Sequence, residues 1–238
     1  MIPLLYLQKC GSTNDEVISY ISEKITDFLA VYTRNQTNGR GQYGNSWVSA
    51  ENKNLAYSFA LKSEFIFNSD ILFNFRTAII LRQFLANLTQ SEVQIKWPND
   101  IIINQKKISG ILIEKKKVKN SIYYVVGIGI NVLQTDFGTF SKASSLVNET
   151  SQNIDVDELV TSFHHYFLEK IVQRVSSEEV LELLNINLFR KNQISVFEIK
   201  GARQNGIIQN VDQEGFLWVE LENEGLQKFF FKEIDLLY

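Results

Sequence analysis

The run Thr33-Arg34-Asn35-Gln36-Thr37-Asn38-Gly39-Arg40-Gly41-Gln42-Tyr43-Gly44-Asn45-Ser46-Trp47 joins a strand-like segment to a polar, glycine-rich loop. A guanidinium stands at its centre and an indole at its end. Glycine lets backbone come close to a ligand because no Cβ intervenes. Exposed amide N–H groups can cradle an anion, and Arg40 adds a fixed cation with forked donors. A phosphate or a carboxylate suits such a loop. Gly39-Arg40-Gly41-Gln42-Tyr43-Gly44 also matches the dinucleotide-binding spacing G-x-G-x-x-G. That fingerprint needs a helix to begin inside the glycine run. Asn45 to Asn52 show no apolar helical period, so the loop is read instead as folding over a ligand held on a sheet.

Lys96-Trp97-Pro98-Asn99-Asp100 puts a cation, an indole, an amide and a carboxylate beside one proline bend. Asn99 can recognise an adenine edge or orient a phosphate oxygen. Asp100 is a hard oxygen ligand suited to Mg²⁺, which takes one or two carboxylates plus substrate phosphates. Taken alone, the same run reads equally as a capped turn with Trp97 in the core. Lys107-Ile108-Ser109-Gly110-Ile111-Leu112-Ile113-Glu114 reads as a strand opening on a lysine. Strict alternation puts Ile108, Gly110, Leu112 and Glu114 on one face and Lys107, Ser109, Ile111 and Ile113 on the other. Gly110 inside a strand marks close approach by a ligand or another backbone. The Lys107 charge could offset a carboxylate attacking phosphorus. An exposed hairpin lysine is the plainer reading of that residue alone. Gly127-Ile128-Gly129-Ile130-Asn131 repeats the pattern of small residues ending in an amide. His164-His165 has no metal-ligand partner at helical spacing, and no Ser-His-Asp set or cysteine pair supports a covalent nucleophile or structural zinc.

The elements that must carry these residues follow from periodicity and breakers. Leu4–Gln8 and Phe28–Thr33 read as strands. Between them a helix opens at Ser12-Thr13-Asn14, with a capping box of Thr13 and Glu16 and an apolar stripe of Val17, Ile18, Ile21 and Ile25. Strands are expected over 54–61, 93–97, 100–103, 107–114 and 122–132, and a long apolar helix over 69–88. Lys115-Lys116-Lys117 is read as the solvated end of a hairpin. Helices are expected over 155–175 and 177–188. From about Phe189 the pattern changes to four or five short strands with glycine turns, which suggests a small β-barrel. A boundary is therefore placed between residues 1–188 and 189–238.

With 238 residues, the chain can build one sizeable core plus a small second unit. Hydrophobic residues at 45% and charged residues at 21% are ordinary for a globular protein. A net charge of −3 gives no footprint for broad nucleic-acid binding. One cysteine, Cys10, permits no intramolecular disulfide and fits a reducing cytoplasm; it is read as a packed small side chain. The N-terminal apolar run is too short for a signal peptide, and no segment is apolar for long enough to span a membrane.

As a set, the segments resemble the biotin protein ligase family. The likeness runs through Ser12-Thr13-Asn14, Gln36 to Gly41, Trp47, Lys96-Trp97-Pro98-Asn99-Asp100, Lys107 to Glu114 and Gly127 to Asn131, and covers nearly the whole chain. It implies an α+β fold: a mixed, largely antiparallel sheet with packed helices, like a class II synthetase, followed by a small SH3-like barrel. It also implies a two-step reaction. Biotin and ATP give biotinyl-5′-AMP and pyrophosphate, and a lysine of a biotin carboxyl carrier protein domain then takes the acyl group. By resemblance Ser12, Thr13, Asn14, Gln36, Gly39, Gly41, Gln42 and Gly110 belong to the biotin side. Trp47, Lys96, Asn99 and Asn131 belong to the nucleotide side, Arg40 and Lys107 serve both, and Asp100 helps hold Mg²⁺. A lipoate ligase of similar architecture and a non-catalytic biotin-binding module are the alternatives. Two departures are expected to matter. Gln42 and Asn45 stand where the family often carries arginine, which predicts looser retention of the adenylate. The operator-binding domain of bifunctional members is not expected, so no DNA partner is either. Exposed sheet edges could pair with the acceptor or with a second copy in a homodimer.

Overall fold

The computed structural model describes residues 2–24 and 26–238. The order is β1 (Leu4–Leu7), α1 (Thr13–Lys24), β2 (Phe28–Thr33), β3 (Gly39–Arg40), β4 (Ser46–Trp47), β5 (Asn54–Lys62), α2 (Asp70–Ala86), β6 (Val93–Lys96), β7 (Asp100–Ile103), β8 (Lys106–Val118) and β9 (Ser121–Asn131). Then come α3 (Leu146–Thr150), α4 (Val156–Ile171), α5 (Ser177–Ile186) and the strands β10 (Ile194–Ile199), β11 (Ala202–Val211), β12 (Leu217–Leu221), β13 (Gly225–Phe229) and β14 (Asp235–Leu237). The fold is mixed α+β. Its main sheet has seven strands in the order β1-β2-β5-β9-β8-β7-β6, antiparallel except for the β1–β2 pair. A second, five-stranded antiparallel sheet has the order β13-β12-β11-β10-β14. No helix is long and apolar enough to cross a membrane.

Strand alternation gives the main sheet two apolar faces. Phe59, Leu61, Tyr124 and Val126 point toward α2 and α4, where Phe73, Phe163 and Phe167 pack in edge-on aromatic pairs. This core continues without a break into Phe197, Ile208 and Val219 of the second sheet. The other face carries Leu29, Val31, Ala60, Tyr123 and Val125, covered by Val17 and Ile21 of α1. Helix α1 covers only one end of that face. Toward the other end the inward positions become Ala56, Ser58, Gly127 and Gly129, too small to fill the space in front of them.

Several local expectations change. Thr13 is already inside α1, with Asp15 and Glu16 amides bonded to the Ser12 carbonyl, so the capping box does not form; the Thr13 hydroxyl is used elsewhere. Of the helical stripe, Ile25 lies outside the described residues. Strand β8 does not stop before the lysine run but carries it to Val118, because Lys115, Lys116 and Lys117 pair across to Tyr124, Tyr123 and Ile122. Short α3 and the closing strand β14 have too few periodic residues to announce themselves. His164 is structural: its buried ring lies 3.0 Å from the Tyr57 hydroxyl and 3.1 Å from the Ile2 carbonyl. Burial lowers its pKa, so the neutral ring donates from Nε2 to Ile2 and accepts from Tyr57 at Nδ1.

Candidate functional site

In front of the small residues lies a cavity of about 290 Å³. Ser12, Thr13, Asn14, Gln36 and Arg40 line one end; Lys96, Asn99, Asp100 and Lys107 line the other. The floor is a block of small positions, since Gly127 and Gly129 on β9 stand opposite Leu112 and Gly110 on β8 and opposite Ser58 and Ala56 on β5. Trp47 lies across this floor. A Cβ at Gly129 would overlap its indole, and one at Gly110 would lie 3.2 Å from it. The close approach expected at Gly110 is thus made by an aromatic ring of the protein itself. The Trp47 Nε1–H is buried without a partner.

The first end is a continuous polar network. Main-chain bonds tie Cys10 and Gly11 to residues 35–38, which brings Gln36 beside the start of α1. Gln36 Oε1 accepts from the Thr13 amide at 2.9 Å and from its hydroxyl at 3.1 Å. The buried Ser58 hydroxyl donates to Asn14 Oδ1 at 2.6 Å and lies 2.7 Å from Thr13 Oγ1. Asn14 Nδ2 in turn donates to Glu114 at 2.7 Å. Arg40 closes the chain with a forked pair to Asp15 at 2.7 and 2.8 Å and a longer contact to Glu114 at 3.3 Å. The Arg40 hydrogen bond holds the Asp15 carboxyl below its ordinary range and raises the guanidinium's own pKa. Burial pushes Glu114 up, but hydrogen bonds from Lys116 and Asn14 outweigh it and leave its pKa lowered. Cys10 is pushed up to about 11, first by burial and then by Glu16 and Asp15, which keeps it a protonated thiol.

The second end depends on an irregularity. In the β7–β8 ladder Ile101 faces Ser109 but Ile102 faces Lys107, so Ile108 is an extra residue, a β-bulge. The bulge breaks the alternation and corrects the expected faces: Lys107 turns to the same side as Gly110, its Cε 3.4 Å from where a Gly110 Cβ would be. Its main chain is further held by the Lys142 carbonyl and the Ser144 amide. Lys107 Nζ forms an ion pair with Asp100 at 2.7 Å and lies 5.7 Å from the Trp47 ring centre. Lys96 is half-buried, and burial lowers its pKa against the opposing pull of Asp100. Among the described residues no cluster of three His, Cys, Asp or Glu could hold a metal alone. A metal held at Asp100 would therefore need further oxygens from a substrate, which is how Mg²⁺ is usually bound.

Most candidates from the sequence converge on this cavity, including Gly41, Gln42 and Trp47. Three do not present a free group to it. Asn131 is buried and donates to the Ser144 carbonyl at 2.9 Å, so its amide supports the segment behind Lys107. Gly39 is packed under Trp47 and Gln36, where any Cβ would collide. Asn99 lines the cavity, but its amide N–H is bonded to the Ile111 carbonyl at 2.7 Å. Asp15, Ser58 and Glu114 join the polar network although residue type and spacing give them no functional signal. Ser58 looks like any serine in an apolar strand until the register places it beside Gly127.

A family model described as the biotin/lipoate A/B protein ligase family matches residues 10–131, a span holding every candidate above from Ser12 to Asn131. The bifunctional ligase/repressor BirA of Bacillus subtilis is 26% identical over 98% of this chain and 74% of its own length. The biotin–[acetyl-CoA-carboxylase] ligase of Paracoccus denitrificans is 26% identical over 89% of this chain and 91% of its own. Among solved structures, the biotin protein ligase from Aquifex aeolicus in complex with biotin and ATP shares the fold with a TM-score of 0.78 at 22% identity, covering 100% of this chain and 99% of that one.

Proposed function

The chain belongs to the biotin/lipoate A/B protein ligase family, and from that premise we infer that it activates biotin with ATP and transfers it to a lysine of an acceptor protein. The observation that carries this reading is the bulge at Ile108, which brings Lys107 onto the glycine floor within reach of a ligand seated against Gln36 and Thr13. At the polar end, Thr13, Asn14, Ser58 and Gln36 offer donors and acceptors to a ring system that carries its own. The ureido ring of biotin does so; the dithiolane of lipoate does not. The acyl chain then lies along Gly129 and Gly110 under Trp47, with its carboxylate at Lys107.

In the first step a biotin carboxylate oxygen attacks the α-phosphorus of ATP. The bond to the β-phosphate bridging oxygen breaks, and pyrophosphate leaves with its electron pair. Lys107, drawn from Asp100, offsets charge on the attacking and transferring oxygens, a stabilisation strengthened where water is excluded. Lys96 adds positive charge on the nucleotide side, which Asn99 also lines. Mg²⁺, when bound with the nucleotide, supplies charge neutralisation for the phosphates, and Asp100 is the residue that would hold it. In the second step a neutral lysine amine of the acceptor attacks the acyl carbon, the acyl–oxygen bond breaks and AMP leaves. Beyond Gly110, β8 has β9 on one side and no strand on the other among the described residues. That open edge suits a strand of a carboxyl carrier domain. In the same reading residues 1–188 are the catalytic unit and 189–238 a small barrel, supported by the separate ladder of the second sheet.

The test is transfer of labelled biotin to a biotin carboxyl carrier domain. Label on the carrier that depends on ATP and is not competed by lipoate is the expected result. ATP-independent label, or equal transfer of lipoate, would overturn the reading.

A further inference from the structure

The glycine loop carries one guanidinium, and Arg40 is already engaged by Asp15 and Glu114. Residues 41–47 add no basic side chain. Besides Lys107 over Trp47, a second cation touches this segment, and it comes from the far end of the sequence. Lys232, in the turn between β13 and β14, donates from Nζ to the Tyr43 carbonyl at 3.1 Å and sits 4.8 Å from the Tyr43 ring centre. Its neighbour Phe231 packs against Tyr43 at 6.2 Å and against Trp97 at 5.0 Å. Both residues of the contact stand in left-handed backbone, Tyr43 at φ 57° and Lys232 at φ 68°. Side chains rarely adopt that region, and such residues persist where their surroundings hold them. The two turns meet across 189 positions of sequence. Lys232 makes no ion pair with a carboxylate among the described residues. An ammonium has three donors, so the bond to Tyr43 leaves two for solvent or a ligand, and both residues are exposed where they line the cavity.

The geometry points to Lys232 as a positioning residue that latches the glycine loop over the cavity and sets how long the activated acyl intermediate is retained. This role rests on the ligase reading and names the part played in it by the second sheet. Lys232 acts through Tyr43 on the loop, and places at its rim the positive charge that Gln42 and Asn45 do not carry. The loop is thereby tied to the Lys96–Asp100 turn as well, because Trp97 meets Phe231 and donates from Nε1 to the Gly215 carbonyl at 3.1 Å.

Lys232→Gly separates this role from a structural one. It removes the ammonium while relieving the left-handed backbone, so the thermal midpoint is not lowered. Hydrogen exchange is measured first, in the protein without added ligand. The amides of 41–47 should exchange about tenfold faster in Lys232→Gly, those of β9 should be unchanged, and Lys232→Arg should behave as the unmodified protein. Unchanged exchange over 41–47 would overturn the latch. In a second arm the intermediate is formed from biotin and ATP and chased by dilution; its release should be about fivefold faster in Lys232→Gly. Faster exchange with unchanged release would overturn the retention role. Failure of the unmodified protein to form any intermediate would sink the ligase reading and the retention role together, with the exchange result still deciding the latch.

Discussion

At the Ser12–Gln36 end of the cavity, hydrogen bonds run from Gln36 through Thr13, Ser58 and Asn14 to Glu114 and Arg40 before any ligand arrives. At the Lys96–Lys107 end, charges are gathered on a bulge and a proline turn, with Lys107 held by one ion pair and Lys96 half-buried, its pKa lowered by desolvation. The first end is organised for recognition, where a misplaced donor costs affinity. The second is organised for charge that develops during reaction, where a lost cation costs rate. Substitutions at the two ends should therefore separate binding from turnover.

The largest effect is expected at Lys107. Lys107→Ala should slow biotin-dependent pyrophosphate exchange by about 3–4 kcal/mol of barrier, while calorimetry finds a much smaller loss of biotin affinity. Loss of affinity with normal exchange would invert the comparison. Next comes the floor. Gly127→Ala drives a methyl into the Asn14 amide, and overpacking of about 1–3 kcal/mol should weaken biotin binding and leave ATP binding alone. Equal loss of both would mean the two ends are not distinct. A smaller effect belongs to Gln36→Ala, which leaves the Thr13 amide without its acceptor; about 1–2 kcal/mol of biotin affinity should go, with kcat at saturating biotin preserved.

The smallest effect is the response to acid. Asp15 and Glu114 both titrate lower in the folded chain than their ordinary values of 3.8 and 4.5. Their contribution to stability is complete above those values and is lost as pH falls below them through the depressed ones. Asp15 is more than half exposed, so solvent limits its share to about 0.5–1 kcal/mol. Thermal midpoints between pH 6 and 3 (a range spanning both ordinary values, about 4) should fall less steeply in Arg40→Met than in the unmodified protein. Parallel curves would show that Arg40 does not set the Asp15 carboxyl.

Much of this arrangement is readable from residues alone. Alternation and glycine breakers mark β2, β5, β9 and α2 closely, and the glycines of β8 and β9 announce a bare floor before any fold is known. Lys107 shows the limit of that reading. Alternation puts it on the face away from Gly110, and only the bulge, which depends on where Ile101 and Ile102 pair, brings it back. The capping box at Thr13 fails similarly, because Gln36 and Ser58 compete for a hydroxyl that local sequence assigns to the helix. Asn131 has the chemistry of a ligand contact, but tertiary packing directs its amide to Ser144. Lys232 has no local signal at all: its partner lies in a distant turn, and positive φ is not written in a lysine.

The central claim is that one cavity holds biotin against Gln36 and Thr13 with its carboxylate at Lys107 beside the nucleotide. Exchange of labelled pyrophosphate into ATP tests it most directly. The account predicts exchange that requires biotin, is not supported by lipoate and vanishes in Lys107→Ala. Exchange without biotin, or undiminished in that variant, would contradict it.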